Sequence, residues 1–388
     1  MVKKMMISLP NYVKICLNTL ETNGFEAWCV GGAVRDLIMG QAPFDFDITT
    51  NAEPNDVIRI FEKTVPTGIK HGTVTVVTKN GNVEVTTYRS ESDYLNNRSP
   101  KSVSFEKDIK KDLLRRDFTV NAICYNEQHG FFDFVGGIDD INNKIIRAIG
   151  NPDERFSEDA LRILRAFRFS AQLNFKIEDS TLKSALSHSK LLQNISAERI
   201  YSELYKIFLS KNIDNALPLL NSGALNFLGF NNSEIPQNFN MLVKAFPIRF
   251  AVFCSENNLD AFSILKMLRT DNDTIAKTKE HLSLLNITFP LTKPEIKRLL
   301  SNFSLDAIVN ILKYLEICGL RVDSQLNIIT DIINNNEPYS LNMLAINGDD
   351  LLRLGFSGKD IGDILERLLD IVIEHPRKNN KDTLIKLI

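Results

Sequence analysis

GGAVRDLIMGQAPFDFDITT, residues Gly31 to Thr50, is the stretch whose reading decides the fold. An apolar run from Ala27 to Val30 enters it, and a helical pattern from about Ala33 to Met39 follows the Gly31-Gly32 pair. Glycines at a strand-to-helix turn let backbone N–H groups approach a phosphate, because no Cβ stands in the way. Thirteen residues past Gly32, Asp45 and Asp47 flank a single phenylalanine. Strand side chains two apart share a face. The two carboxylates can therefore converge on a divalent metal while Phe46 turns into the opposite layer. A solvated Asp-x-Asp beside an ordinary turn is the plain alternative. In this order, the two features make nucleotidyl transfer the first hypothesis.

Two metals held well need a third carboxylate. Glu84 is the candidate, a charged residue among valines in the strand-like Val83–Tyr88, with Thr86 and Tyr88 on its face. If that strand lies beside Phe44–Thr49, three carboxylates meet and two Mg²⁺ ions can bind, oxygen-only ligands suiting this hard cation. Further along, Arg115, Arg116, Asp117, Thr119 and Asn121 form a cluster of phosphate donors and groups able to read a ribose hydroxyl. A helix follows, with Ser157 as its expected N-cap and Glu158 in its first turn. Asp159 and Arg162 would lie about 60° apart on its polar side, with Arg165 and Arg168 further down. Surface ion pairs are one account of them. A base-reading edge is the other. Cytosine and adenine both set an exocyclic amine beside an unprotonated ring nitrogen, so an Asp can accept and an Arg can donate. Uracil and guanine present the opposite pattern and would leave charged groups unpaired.

The chain has 388 residues, 44% hydrophobic and 24% charged, enough for two to four modules with real cores. A net charge of −2 confines any nucleic-acid contact to local patches. Cys16, Cys29, Cys124, Cys254 and Cys318 are scattered, with no C-x-x-C, which argues against a disulfide framework or zinc site and for the cytoplasm. No signal peptide or membrane span is legible. Strand patterns at Glu26–Val30, Phe44–Thr49, Thr73–Thr78, Val83–Tyr88 and Gly130–Val135 mix with helices over the first 150 residues. Asn80-Gly81 marks a hairpin, and Ser90–Ser102 reads as a surface loop. From Ser157 onward helical spacing dominates. Breaks fall at Asn174, Ser210–Asn212, Asn231–Gln237, Phe289-Pro290, Asn334–Pro338 and Ser357-Gly358, and Pro376–Lys381 reads as a solvated tail segment.

GGAVRD with DFDITT, KHGTVTV, VEVTTYR, RRDFTVNA, FVGGIDD, EDALRILRAFRF and ISAERIYSEL occur in this order over residues 25–210. Together they resemble the class II tRNA nucleotidyltransferases, the family of the bacterial CCA-adding enzymes within the polymerase-beta-like superfamily. INGDDLLRLGFSGKDIGDILERLL resembles the family's late helical segment more weakly. The resemblance implies an α+β protein. A catalytic head with a mixed five-stranded sheet (1–150) would be followed by an all-helical neck (151–230), body (231–290) and tail (291–388), the tail holding tRNA. It makes Asp45 and Asp47 the ligands of Mg²⁺ and Glu84 the supporting carboxylate. Gly32 and Arg35 would hold the triphosphate, Arg116 the nucleotide, and Asp117 with Asn121 would lie near the sugar. Asp159 and Arg162 would template the base, with Arg165 and Arg168 supporting them or the phosphates. The implied reaction adds C, C and A from CTP and ATP to the tRNA 3′ end and releases pyrophosphate.

Neighbouring activities fit less well. Bacterial poly(A) polymerase carries an Arg-rich signature after the paired aspartates and a strongly basic C-terminal extension. Here that interval reads VPTGIKHGTVTVV, with Lys70 its one lysine or arginine. Enzymes restricted to CC addition lack a flexible loop that Ser90–Ser102 supplies, although Ser99 follows Arg98 where relatives often place a second basic residue or histidine. A-adding enzymes are a further branch. A C-terminal metal-dependent phosphohydrolase is not expected, because no His-Asp pair occurs. A non-catalytic RNA-binding protein on the same fold would have no need of converging carboxylates. Oligomeric state is open at this level.

Overall fold

Apolar residues at i, i+3, i+4 and i+7 give the first helix, α1 (Asn11–Thr22), one buried stripe of Val13, Cys16, Leu17 and Leu20. Strands and short helices then alternate: β1 (Ala27–Val30), α2 (Gly32–Ile38), β2 (Asp47–Thr50), α3 (Pro54–Ile60), β3 (Thr64–Gly68), β4 (Thr73–Thr78) and β5 (Gly81–Thr87). A two-stranded ribbon follows, β6 (Arg89–Leu95) and β7 (Ser99–Phe105), then α4 (Ile109–Leu114), β8 (Ile123–Asn126), β9 (Gly130–Asp133) and α5 (Gly137–Asn143). The computed structural model describes residues 7–95, 99–231 and 233–388, and the chain separates into two units, one ending at Ser233 and one spanning Glu234–Ile388.

The sheet has seven strands rather than five, in the order β3-β4-β5-β2-β1-β8-β9. Only β2 and β5 run parallel, so the sheet is mixed. The extra strands are β3 and β8. Pro66 disguises β3 as a turn, and a proline is tolerated there because β3 is an edge. β8 is buried along its whole length and shows no alternation to betray it. Register decides the two faces. Val30, Asp47 and Glu84 are lateral partners and share one face. Cys29, Ile48, Val83 and Val85 are fully buried on the other, where α1 and α3 pack. Phe46 joins that second layer, meeting Tyr12 of α1 edge-on at 6.0 Å. Val30, Tyr88, Ile109, Leu113, Ala122 and Cys124 form the core beneath the first face.

Two local expectations fail. Ser90–Ser102 is not a loop: β6 and β7 pair from Arg89↔Phe105 to Leu95↔Ser99. Backbone pairing needs no buried face, so a stretch without a core pattern can still be a ribbon. Arg98 lies outside the described residues. Secondly, Ser157 does not start a helix. α6 runs Pro152–Glu158 and α7 runs Leu161–Leu173, with Asp159 in the extended break between them at φ −133° and ψ 102°. Asn151-Pro152 is the stronger start signal, an N-cap side chain accepting from Asp153 N at 3.1 Å with proline at the first helical position. Asp159 then accepts from Leu161 N at 3.1 Å and begins α7 afresh. Next come α8 (Asp179–Ser187) and α9 (Ala197–Phe208), α9 packing along α7, and a short α10 (Leu217–Leu220) follows before the unit ends.

The second unit is helical throughout, among the described residues. Its helices end or begin at the expected breaks, including Asn272–Leu285 to Lys293–Asn302 across Phe289-Pro290, and Lys359–Glu374 directly after Gly358. Pro376–Lys381 is solvent-exposed, as expected, but it is tied to the unit rather than loose. Asn379 bonds Ala345 N at 2.8 Å and Met343 O at 2.9 Å, and Leu384 beyond it is buried with Ile346, Leu351, Leu368 and Val372. No helix among the described residues is long and apolar enough to cross a membrane.

Candidate active site

At the floor of the site β1 hands over to α2 through Gly31, whose φ of 83° and ψ of −141° suit glycine alone. A Cβ there would lie 3.6 Å from Arg116 Nη1 and 3.8 Å from Asp47 Oδ2. Those are ordinary van der Waals distances, so the cost of a side chain is in the backbone: Gly31→Ala should destabilise the fold by about 1–3 kcal/mol, read as a lower denaturant midpoint.

β2 begins at Asp47, three residues later than the strand expected from Phe44, so Asp45 sits in the lead-in. Both line a cleft of about 860 Å³. Asp47 is half-buried, and its carboxyl is pushed up to about 6 by burial first, then by the charges of Asp45 and Glu84, against a smaller opposing pull from Arg116. Glu84 occupies the register position beside Asp47, as the strand pairing requires. Yet its side chain is exposed, and among the described residues no three carboxylate, histidine or cysteine side chains surround one point. The expected meeting of three carboxylates is thus reduced to a converging pair with Glu84 alongside. A desolvated carboxylate raised by like charges is a site that wants a cation. The all-oxygen donor set and the room left for phosphate ligands suit Mg²⁺.

Arginines also line the cleft, and each is held by an acid or an amide. Arg35 donates Nη1 to Asn121 Oδ1 at 2.6 Å and Nε and Nη2 to Asp36. Asn121 in turn donates to Asp117 Oδ1 at 3.3 Å. Asp117 takes Phe118 N at 2.8 Å and Arg165 Nε at 2.7 Å. Burial alone would raise Asp117, but Arg165 and these bonds overrule it and hold the carboxyl at about 2. Arg116 and Arg115 both donate to Asp112, which is fully buried.

Asp159 and Arg162 both line the cleft, but they do not bond each other. Arg199 of α9 donates to Asp159 Oδ2 at 2.8 Å. Arg162 donates to Glu158 Oε2 at 2.6 Å and to the carbonyls of Arg155 and Arg115 at 3.1 Å. Arg168 is buried against Glu203 at 3.0 Å and stacks its guanidinium 4.1 Å from the Phe169 ring centre. Burial lowers it to about 10. Gly32 also lines the cleft. Sequence reasoning overlooked four participants. Asp112 precedes its arginines by three and four residues within KKDLLRRD, a helical spacing that could have shown it. Arg199 lies in SAERIYSEL, four before Glu203, and only the packing of α9 on α7 brings it to Asp159. Glu158, expected only as a first-turn acid, lies instead in the last turn of α6 and holds Arg162. Phe44, fully exposed beside Asp45 and lining the cleft, carried no signal at all.

The Poly A polymerase head domain family matches residues 27–147, the family described as "Probable RNA and SrmB- binding site of polymerase A" matches 174–228, and tRNA nucleotidyltransferase domain 2 matches 248–388. A CCA-adding enzyme of Staphylococcus epidermidis is 36% identical over 97% of this chain and 96% of its own. One from Pediococcus pentosaceus is 35% identical over 96% of each. The chain belongs to the CCA-adding enzyme family. A crystal structure of the Bacillus stearothermophilus CCA-adding enzyme in complex with CTP superposes with a TM-score of 0.84 at 29% identity, covering 97% of this chain and 96% of that one. As a CCA-adding enzyme the chain is a nucleotidyltransferase, and the alternative of a non-catalytic binding protein falls away. The tRNA nucleotidyltransferase match over the second unit also separates it from a poly(A) polymerase.

Proposed function

We propose that the cleft of the first unit adds C, C and A stepwise to the 3′ end of tRNA, taking CTP and ATP, releasing pyrophosphate and using no nucleic-acid template. The observation that carries this reading is the separate anchoring of Asp159 by Arg199 and of Arg162 by Glu158, on the wall of the cleft that also holds Asp45 and Asp47. Rigidly held, Asp159 accepts from the exocyclic amine of cytosine or adenine, and Arg162 donates to the adjoining ring nitrogen. Uracil and guanine leave both unpaired. The relative solved with CTP supports a pyrimidine triphosphate in such a cleft.

Asp45 and Asp47 would hold Mg²⁺, with Glu84 adding negative charge beside them. When bound, the ion supplies charge neutralisation on the triphosphate and activation of the attacking hydroxyl. Arg35 and Arg116 bind the phosphates, Asp117 and Asn121 sit near the sugar, and Arg165 and Arg168 brace this wall. Gly32 lets the triphosphate lie close to the backbone. The tRNA 3′-hydroxyl attacks the α-phosphorus, its bond to the bridging oxygen breaks, and pyrophosphate leaves. We assign residues 1–150 as head, 151–230 as neck, 231–290 as body and 291–388 as tail, and place the enzyme in the cytoplasm, in keeping with five free cysteines.

The experiment that tests the reading is extension of tRNAs ending at the discriminator base, at C and at CC. Full addition completes all three with CTP and ATP. A product that stops at CC, or one that grows only from CC, would replace it with a CC-adding or A-adding activity. Binding of tRNA should also weaken steeply with salt, because contacts to backbone phosphates release counterions. A filter-binding titration with a log–log slope near zero would contradict phosphate-dominated binding.

A further inference from the structure

We infer that Asp112, a residue outside the nucleotide-contacting set, is the positioning residue that sets Arg116 against the triphosphate and ties it to the strand bearing Asp47. Asp112 has no exposed surface. Its Oδ1 accepts from Arg115 Nε at 3.0 Å and Nη2 at 2.6 Å, and from the backbone N of Arg89 at 3.4 Å. Its Oδ2 accepts from Arg116 Nη2 at 3.1 Å and from Thr49 Oγ1 at 3.2 Å. The Arg116 side chain makes no other hydrogen bond among the described residues. Its Nε is buried without a partner, and its Nη1 lies toward Gly31 and Asp47 in the cleft.

Every other cleft arginine that carries a role has a different anchor: Arg35 on Asp36 and Asn121, Arg162 on Glu158, Arg165 on Asp117. Among the described residues, Asp112 is the one side-chain hydrogen-bond partner of the Arg116 guanidinium. The same carboxylate oxygen also holds Thr49, which sits two residues beyond Asp47 on the same face of β2. One buried oxygen therefore fixes the distance between a phosphate-binding cation and the carboxylate proposed to carry the metal. A guanidinium with a single anchor, freed from it, retains its charge but loses its direction. Nucleotide binding then falls while tRNA binding, which uses other surfaces, does not.

The inference rests on Arg116 contacting the nucleotide, so the test separates the two. Steady-state KM for CTP, ATP and tRNA would be measured for D112N, R116A and the double variant, with thermal midpoints alongside. D112N should raise KM for CTP and ATP tenfold or more and leave KM for tRNA within twofold. In the R116A background D112N should add less than twofold. If D112N instead raises all three KM values together, or adds its full effect to R116A, Asp112 is merely structural and the inference is overturned. If R116A leaves nucleotide KM unchanged, the nucleotide role of Arg116 falls and the inference with it. Should D112N not fold, D112E keeps the buried charge and displaces the carboxylate by one methylene. It should raise KM for CTP at least threefold at unchanged tRNA KM, and an unchanged CTP value would overturn the inference.

Discussion

A folded Asp47→Ala enzyme should add CMP to tRNA about a thousandfold more slowly than the parent, the loss of roughly 4 kcal/mol of transition-state stabilisation expected when a metal-holding carboxylate is removed. Single-turnover incorporation of labelled CTP measures it, and turnover within tenfold of the parent would contradict the metal assignment. The same residue should show the opposite sign in stability. Its folded carboxyl is raised from 3.8 to about 6 by burial and by Asp45 and Glu84. The folded state therefore prefers Asp47 protonated. In metal-free protein this contribution is fully present below the unfolded value and is lost as pH rises through the folded one. Asp47→Asn abolishes that loss. In chelator near neutral pH it should melt about 1–3 °C above the parent, for a gain of ~1 kcal/mol in a chain of this size. The gain should vanish at about pH 4 and reverse when Mg²⁺ is added, since only the parent gains from binding. A variant no more stable than the parent in chelator would mean that the carboxylates do not repel as placed.

Asp159→Ala should cost CTP and ATP roughly 30- to 150-fold in kcat/KM, about 2–3 kcal/mol for a charge-assisted hydrogen bond lost in a dry site. UTP, which gains nothing from Asp159, should change little, so discrimination against it collapses by the same factor. Competition between labelled CTP and UTP reads the ratio directly. Unchanged discrimination in both Asp159→Ala and Arg162→Ala would sink the base-reading claim. Arg199→Ala, which frees Asp159 without removing it, should give the same loss in weaker form. The reason is geometric: Asp159 lies in the break between α6 and α7, where only its bond to Leu161 N and its pair with Arg199 fix its direction.

The chemistry of the site was legible because it depends on short-range order. Asp45 and Asp47 are separated by one residue, and the glycine pair sits at a strand end. The arginines of RRDFTVNA and EDALRILRAFR repeat at spacings that keep them on one wall. The pairing of β5 beside β2 was also open to inference, because Glu84 among valines made sense only there, and Asp47 and Glu84 are register partners. What escaped were relations with no local signature. β8 is buried on both faces and shows no alternation. β3 is an edge strand that contains proline. The ribbon β6–β7 forms by backbone pairing, which no residue pattern announces. Asp112 had a local signature in its spacing to Arg115 and Arg116, but nothing local shows that it is buried with Ile109 and Leu113 of its short helix.

By itself, the sequence determined which groups are available for the proposed chemistry: a carboxylate pair, a set of arginines and the Asp and Arg proposed to read the base. Residue type and spacing carry that information, since ionisation and hydrogen-bonding capacity belong to the side chain. The tertiary structure alone decided how those groups are held. It split the expected base-reading helix in two and gave Asp159 to Arg199 and Arg162 to Glu158. It kept Glu84 beside the pair rather than around one ion with it, and hung Arg116 on a buried aspartate shared with the metal strand. Glu158–Arg162 and Asp112–Arg116 are four apart, but the anchors from Asp159 to Arg199 and from Thr49 to Asp112 join residues 40 and 63 positions apart. Only packing brings them within hydrogen-bond reach, because the free energy that fixes them comes from burial of the elements that carry them, not from the residues' own neighbours in the chain.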